Sequence, residues 1–247
     1  MELSHKEKTT LLQRSIELGT TLELNLLHPT RYKQHNPNLA DGADAIGEIH
    51  DLLPRDKVYA NVVRAFEDGD YSFVHVDYHL FEPAVAFDIH RYEGGVAVEH
   101  WDNLQMTPPG RNKSGRTMTD GKTQAKDHDK TEANKALAAD FVREVLVGRN
   151  MANVESYFDG DALIQHNPHM GDGVAEFLAD TSASYDTVHK VLGEGSFVLV
   201  LSEGRYIGKH SAFYDLFRVE QGKIVEHWDV IEEIPAPEAR KNANGKF

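Results

Sequence analysis

The stretch Glu226-His227-Trp228-Asp229 repeats, residue for residue, the earlier stretch Glu99-His100-Trp101-Asp102. A second block, Gln-His-Asn-Pro, stands at 34–37 and again at 165–168, so the two blocks keep their order in both halves of the chain. Two identical blocks at similar spacing indicate an internal duplication, and a repeat of this length determines the whole architecture. The chain is therefore predicted to contain two copies of one module.

Within each module, helical patterns come first and strand patterns follow. In the second module, residues 135–146 have apolar side chains at helical spacing, and strand-like segments follow between 187 and 231. Helices followed by a run of strands are typical of an α+β domain whose curved antiparallel sheet wraps around the helices. We place the modules at 1–118 and 131–247, with a polar linker at 119–130.

The last hairpin of each module decides which side chains share a face of the sheet. Side chains alternate along a strand, so His100 and Asp102 point to one side and the tryptophan between them to the other. A three-residue loop that ends in Gly95 would pair Asp88 with His100 and place it on the same side. Loops of this length favour glycine at their third position, and Gly222 stands there in the second module.

Two clusters of candidate catalytic or binding residues follow from this face assignment. They are Asp88, His100 and Asp102 in the first module, and Asp215, His227 and Asp229 in the second. Carboxylates that lie close together and partly buried have perturbed proton affinities, which suits acid/base catalysis. The alternative interpretation is a solvated strand face with one tryptophan packed inward.

Other histidines are further candidates. His35 and His166, each directly before Asn-Pro, could be catalytic, or could only satisfy the end of a strand. His75 and His79 lie on one face of a strand and could bind substrate, whereas the alternative is an exposed strand edge. A metal site in the first module would use His35, His75, His79 or His100, but we predict no metal.

The composition narrows the class of function. The 247 residues carry a formal charge of −14, which argues against binding nucleic acid or an anionic membrane and favours a small-molecule or protein partner. The absence of cysteine excludes disulfides and cysteine nucleophiles. We find no glycine-rich phosphate loop and predict no cofactor. The first residues lack the apolar core of a signal peptide, so we expect a cytoplasmic protein.

The Gln-His-Asn-Pro segment, the order of elements and the stretch 213–229 resemble the SnoaL-like polyketide cyclase family. This family belongs to the nuclear-transport-factor-2-like superfamily of cone-shaped α+β barrels, and the resemblance covers nearly the whole chain as two tandem domains. It implies a pocket inside each cone. It also implies two domains packed through their sheets as a pseudo-dimer within one chain, with a further homodimer as an option.

The resemblance also assigns roles to residues. In the cyclases an aspartate of the last hairpin is the general acid/base, and this role falls on Asp102 and Asp229. A pocket asparagine falls on Asn36 and Asn167. The histidine of the preceding strand is replaced by aspartate, at Asp88 and Asp215.

The function expected from these observations is cofactor-independent acid/base catalysis on a small, mostly apolar carbonyl compound. Asp102 or Asp229 would remove a proton, and His100 or His35 (His227 or His166 in the second module) would donate to the enolate oxygen during an aldol-type cyclisation, isomerisation or dehydration. The alternatives are a non-catalytic binding module and a metal-binding pocket in the first module. The two pockets are expected to differ, since His90 in the first corresponds to Phe217 in the second.

Overall fold

The computed structural model describes residues 2–54 and 56–247, which form two compact units. Unit 1 runs to Met106 and includes 234–247, while unit 2 comprises 107–233. The units differ from the predicted repeats at their ends, because the segment after the last strand of each repeat belongs to the other unit. We call these segments strap 1 (107–127, in unit 2) and strap 2 (234–247, in unit 1).

In unit 1 the helices come before the four long strands, with the short first strand between them. The helices are α1 (His5–Leu18), a 3-10 turn (Leu22–Leu26) and α2 (Asp44–Leu52), and the strands are β1 (Lys33–Gln34), β2 (Tyr59–Asp68), β3 (Tyr71–His79), β4 (Pro83–Glu93) and β5 (Val96–Met106). The strand order is β1-β5-β4-β3-β2, with β1 parallel to β5 and the other pairs antiparallel.

Unit 2 repeats this arrangement. The helices are α3 (Thr131–Phe141), which continues as a π-helical turn (Val142–Val147), α4 (Val154–Tyr157) and α5 (Val174–Leu178). The strands are β6 (Ile164–Gln165), β7 (Ala183–Glu194), β8 (Phe197–Tyr206), β9 (Lys209–Glu220) and β10 (Lys223–Glu233), in the order β6-β10-β9-β8-β7. The predicted fold class, two tandem α+β halves with helices before a curved sheet, is confirmed.

Local sequence signals explain where α1 begins and ends. Ser4 and Glu7 form a reciprocal capping box at its N-terminus. Gly19 ends it in the left-handed conformation, with φ of 65°. Leu12 and Thr9 are buried on the side of the helix that packs against β2 and β3. The helix thus covers one face of β2 and β3. On the same side of the sheet, residues of β4 and β5 line a cavity together with residues of α1.

The hairpin between β4 and β5 confirms the predicted face but not the predicted loop. The turn has two residues, Gly94 and Gly95, both with positive φ, as the right-handed twist of a tight hairpin requires. A bulge at Val98 then shifts the register, so Asp88 pairs with Asp102 rather than with His100. A two-residue turn alone would place Asp88 on the opposite face from His100 and Asp102. The extra residue of the bulge reverses this, so all three side chains share one face.

The hairpin between β9 and β10 is built in the same way. Gln221 and Gly222 form the turn, again with positive φ at both positions, and Val225 is the bulge. Asp215 therefore pairs with Asp229. The sequence repeat is thus matched by a repeat of the turn, the bulge and the cross-strand aspartate pair.

No helix within the described ranges 2–54 and 56–247 is long and apolar enough to cross a membrane.

Candidate functional site

Unit 1 contains a cavity of about 150 Å³ between its helices and its sheet. Most of the lining is apolar, with Leu12, Ile16, Leu27, Leu39 and Leu104 among the side chains. Polar groups are gathered at one end, where the lining includes Asn36, Tyr78, Asp88, His90, His100 and Asp102. An apolar cavity with a few convergent polar groups is the usual form of a small-molecule site.

His100 is held between two buried partners. Its Nδ1 lies 2.8 Å from Oε1 of Gln34, and its Nε2 lies 3.2 Å from Oδ1 of Asp88. Gln34 is on β1, which runs parallel to β5 with Gln34 directly beside His100. The short parallel strand therefore has a defined purpose in this site, since it brings the amide to the imidazole.

Asp102 is held by Asn36, the residue that follows His35 in the sequence. Asn36 donates from Nδ2 to Oδ2 of Asp102 at 2.6 Å. The other carboxylate oxygen, Oδ1, accepts no hydrogen bond among the described residues. Tyr78 donates to Oδ2 of Asp88 at 3.1 Å, so the two carboxylates are supported by different neighbours.

The partners of His100 fix where its protons can be. The equivalent amide of Gln165 in unit 2 is oriented by two backbone N–H groups, and with the same orientation in unit 1 Gln34 presents its oxygen and Nδ1 of His100 donates a hydrogen to it. The contact between Nε2 and Asp88 then needs one more proton, either on the imidazole as an imidazolium or on Asp88 as a carboxylic acid. The Asp88–His100 pair therefore stores one transferable proton beside Asp102.

Burial perturbs several groups at this end of the cavity. Burial raises the pKa of Asp88, and the nearby Asp102 charge adds to the rise, although the hydrogen bond and charge of His100 oppose it. Burial, together with the positive charge of a protonated His100, holds the pKa of His90 well below its usual value. Burial first and the Asp88 charge second raise the pKa of Tyr78 well above its ordinary value.

Unit 2 contains the same polar network. His227 donates from Nδ1 to Oε1 of Gln165 at 3.0 Å, and its Nε2 lies 3.0 Å from Oδ1 of Asp215. Asn167 donates to Oδ2 of Asp229 at 2.7 Å. Gln165 Oε1 also accepts the backbone N–H groups of 166 and 167, each at 2.9 Å, which fixes the orientation of the amide. The tautomer of the histidine is thereby determined in this unit.

Aromatic side chains fill the interior of unit 2. Phe177 and Phe217 pack on His227, with ring centroids 4.7 and 4.9 Å from the imidazole. Phe217 also meets Phe141 edge to face at 5.7 Å. The cavity that reaches Asp229 measures about 70 Å³. In unit 1, the position of Phe217 is taken by His90, and the cavity is about twice as large.

His35 and His166 lie on the opposite face of the sheet from these clusters. His35 stacks on Trp101 with centroids 4.6 Å apart, and its Nε2 lies 2.8 Å from Glu99. His166 stacks on Trp228 in the same way, at 4.6 Å. Neither histidine lines the described cavities, so their predicted catalytic role lacks the required geometry. Both tryptophans face away from the cavities, as predicted.

His75 and His79 also lie away from the cavity. In the register of β3 with β4, Val74 is directly opposite Asp88, so the odd-numbered side chains of β3 point to the other face. His75 is buried there against Phe87, with ring centroids 4.3 Å apart. These two histidines therefore do not converge with His100 on a metal or a substrate.

The Asp-His-Asp clusters themselves have the spacing of a small metal site. In each unit one ligand atom from each of the three residues lies within 4.8 Å of the others. However, both ring nitrogens of His100 are already engaged, by Gln34 and Asp88. A metal would have to replace the contact between His100 and Asp88, so the hydrogen-bonded arrangement favours proton transfer over coordination.

Several residues that complete the site were not predicted as functional. Gln34 and Gln165 orient the histidines, and their membership of the identical Gln-His-Asn-Pro blocks was the available signal. Tyr78 in unit 1 and Tyr185 in unit 2 contact the first aspartate of each cluster, each at 3.1 Å. They come from different strands, so the repeat gave no signal for them.

No protein-family model matches the sequence, and no curated protein shows a significant match. Solved structures do match, each over about two fifths of this chain. An NTF2-like protein of unknown function from Cytophaga hutchinsonii matches with 9% identity and a TM-score of 0.38, covering 42% of this chain and 93% of its own.

Two other solved structures carry names that imply catalysis. A proposed polyketide cyclase from Acidithiobacillus ferrooxidans has 14% identity and a TM-score of 0.32, covering 40% of this chain and 87% of its own. An LEH-like epoxide hydrolase from M. tuberculosis has 15% identity and a TM-score of 0.33, covering 41% and 84%.

Proposed function

We propose that unit 1 is a cofactor-independent acid/base enzyme that acts on a small, mostly apolar carbonyl compound. The observation that carries the proposal is the buried Asp88–His100 pair beside Asp102, at the polar end of an apolar cavity. Acid and base within one water-poor site can remove a proton next to a carbonyl and return it elsewhere. Cyclisation, isomerisation and dehydration all begin with this step.

Asp102 is the proposed base. Its Oδ2 is oriented by Asn36, and its side chain lines the cavity and is 12% exposed. The Asp88–His100 pair is the proposed acid, because it holds one proton and Tyr78 extends it by a further hydrogen bond. His100 does not donate directly to the substrate while Gln34 and Asp88 engage both ring nitrogens. Tyr78, which lines the cavity, would give its hydroxyl hydrogen to the substrate and take a proton from Asp88, whose Oδ2 lies 3.1 Å away.

Unit 2 is proposed to be catalytically silent. It retains the Asp-His-Asp network, but Phe177 and Phe217 occupy the space beside His227. The duplication has therefore kept the polar network in both units, whereas the cavity that reaches it is about 150 Å³ in unit 1 and about 70 Å³ in unit 2. The polar network of unit 2 then has a structural role. Its hydrogen bonds satisfy the polar groups that are buried in an aromatic core.

The test is deuterium incorporation next to the carbonyl of a panel of small cyclic and linear ketones in D₂O, followed by NMR. Replacing Asp102→Asn removes the base and should slow exchange by roughly 10²–10⁴-fold. Replacing Asp229→Asn should leave the rate within about twofold. Exchange with no member of the panel would favour a binding module, and equal losses for both substitutions would show that the units are equivalent.

A further inference from the structure

Strap 2 is bound firmly along the segment that carries Gln34 and Asn36. The side chain of Asn242 donates to the carbonyl of Asn36 at 2.7 Å, and that of Asn244 donates to the carbonyl of Gln34 at 2.7 Å. His35 donates from Nδ1 to the carbonyl of Gly245 at 2.9 Å. The segment that orients Asp102 and His100 is therefore itself held by residues that follow the second repeat.

This attachment places a lysine beside the proposed base. Lys246 is 5% exposed, and its Nζ lies 3.8 Å from Oδ1 of Asp102, the oxygen that accepts no hydrogen bond among the described residues. A buried charge is unfavourable unless an opposite charge compensates it. The Lys246 ammonium and the Asp102 carboxylate therefore compensate each other's charge.

Unit 2 lacks the equivalent ion pair. Its strap carries Asn112 and Gly115 where strap 2 carries Asn242 and Gly245, so Arg116 corresponds to Lys246. Arg116 instead pairs with Asp172 near the surface, with Nη2 2.7 Å from Oδ2. Oδ1 of Asp229 is buried without a hydrogen bond among the residues described for this unit. The ammonium is thus specific to the unit whose Asp-His-Asp cluster borders the cavity of about 150 Å³, against about 70 Å³ at the cluster of unit 2.

We propose that Lys246 is a positioning residue of the unit 1 site, which compensates the charge of Asp102 and holds that carboxylate in place against Asn36. Its role in the reaction rests on the proposed function, but the pairing with Asp102 does not. The site of the first repeat is then completed by a residue from beyond the second repeat, and this gives the fused chain a functional reason to stay fused.

The test is a double-mutant cycle in the full chain with Lys246→Met, Asp102→Asn and both together. Amide hydrogen exchange in β5 reports on unit 1 without requiring the whole chain to unfold in one step. We expect Lys246→Met to lower protection in β5 about tenfold in the wild-type background, and far less when Asp102 is already asparagine. The matched cycle in unit 2, with Arg116→Met and Asp229→Asn, should be additive in β10.

Two further arms separate this inference from the proposed function. Lys246→Arg should retain most of the protection, because it keeps the charge, and additive effects of Lys246→Met and Asp102→Asn would overturn the inference. If the ketone panel shows exchange, Lys246→Met should slow it about tenfold while Lys246→Arg restores most of the rate. If no ketone exchanges, the proposed function fails and the cycle alone decides whether the pair exists.

Discussion

Replacing the buried glutamines should have unequal effects in the two units. Gln165 Oε1 accepts three hydrogen bonds, from the backbone N–H groups of His166 and Asn167 at 2.9 Å and from His227 Nδ1 at 3.0 Å. Gln34 Oε1 accepts one, from His100 at 2.8 Å. A buried donor left without a partner costs about 1–3 kcal/mol. The His166 N–H also donates to the carbonyl of His227 at 2.9 Å, so Gln165→Leu leaves two donors without a partner. We therefore expect Gln165→Leu to cost about 2–6 kcal/mol and Gln34→Leu about 1–3 kcal/mol.

The assay is amide hydrogen exchange, read in β10 for Gln165→Leu and in β5 for Gln34→Leu. Leucine is close to glutamine in size, so the comparison isolates the lost acceptor from a loss of packing. A companion ¹⁵N NMR spectrum of the histidine rings should show hydrogen on Nδ1 of His100 and His227 in the wild type. Equal losses in both units, or a His227 ring without hydrogen on Nδ1, would refute the reasoning.

Three more predictions concern charge. Burial raises the pKa of Asp229, and the Asp215 charge adds to the rise although the His227 charge opposes it. Ionisation of Asp229 therefore weakens folding as pH rises above the unfolded value of about 3.9, so Asp229→Asn should raise the thermal midpoint at pH 7 and lose that advantage near pH 4. Glu226→Leu should cost about 3–5 kcal/mol in urea unfolding, because Glu226 is 2% exposed and bonds Arg218 at 2.6 Å. The equivalent Glu99→Leu should cost less, since its side chain is 14% exposed. EDTA should leave ketone exchange unchanged, and a loss restored by zinc would support a metal at the Asp-His-Asp cluster.

The sequence allowed the fold and the composition of the clusters to be predicted, but not all of their geometry. Alternation along β5 gave the shared face of His100 and Asp102, and the position of Asp88 was correct although the turn was not. A two-residue turn with a bulge and a three-residue loop both place Asp88 on the same face as His100 and Asp102. The predicted face was therefore correct although the predicted pairing partner of Asp88 was wrong. The side of the sheet was therefore predictable where the pairing was not.

The histidines outside the clusters show the opposite case. His35 stands next to two site residues in the sequence, Gln34 and Asn36, yet its side chain points to the other face. Its partners, Glu99 and Gly245, come from distant parts of the chain. Contacts of this kind depend on how strap 2 crosses to the first repeat, which no local pattern encodes. Lys246 was missed for the same reason.

Unit 1 is proposed to hold the working pocket. The most direct measurement is a titration of ¹⁵N-labelled protein with cyclohexanone, a small apolar ketone, followed through amide chemical shifts. Cavities of about 150 Å³ lined by apolar side chains are able to take a ligand the size of benzene. We predict shifts confined to residues around the unit 1 cavity, such as His90, Asp102 and Leu104. Equal or larger shifts around Phe177, Tyr185 and Asp229 in unit 2 would contradict the claim.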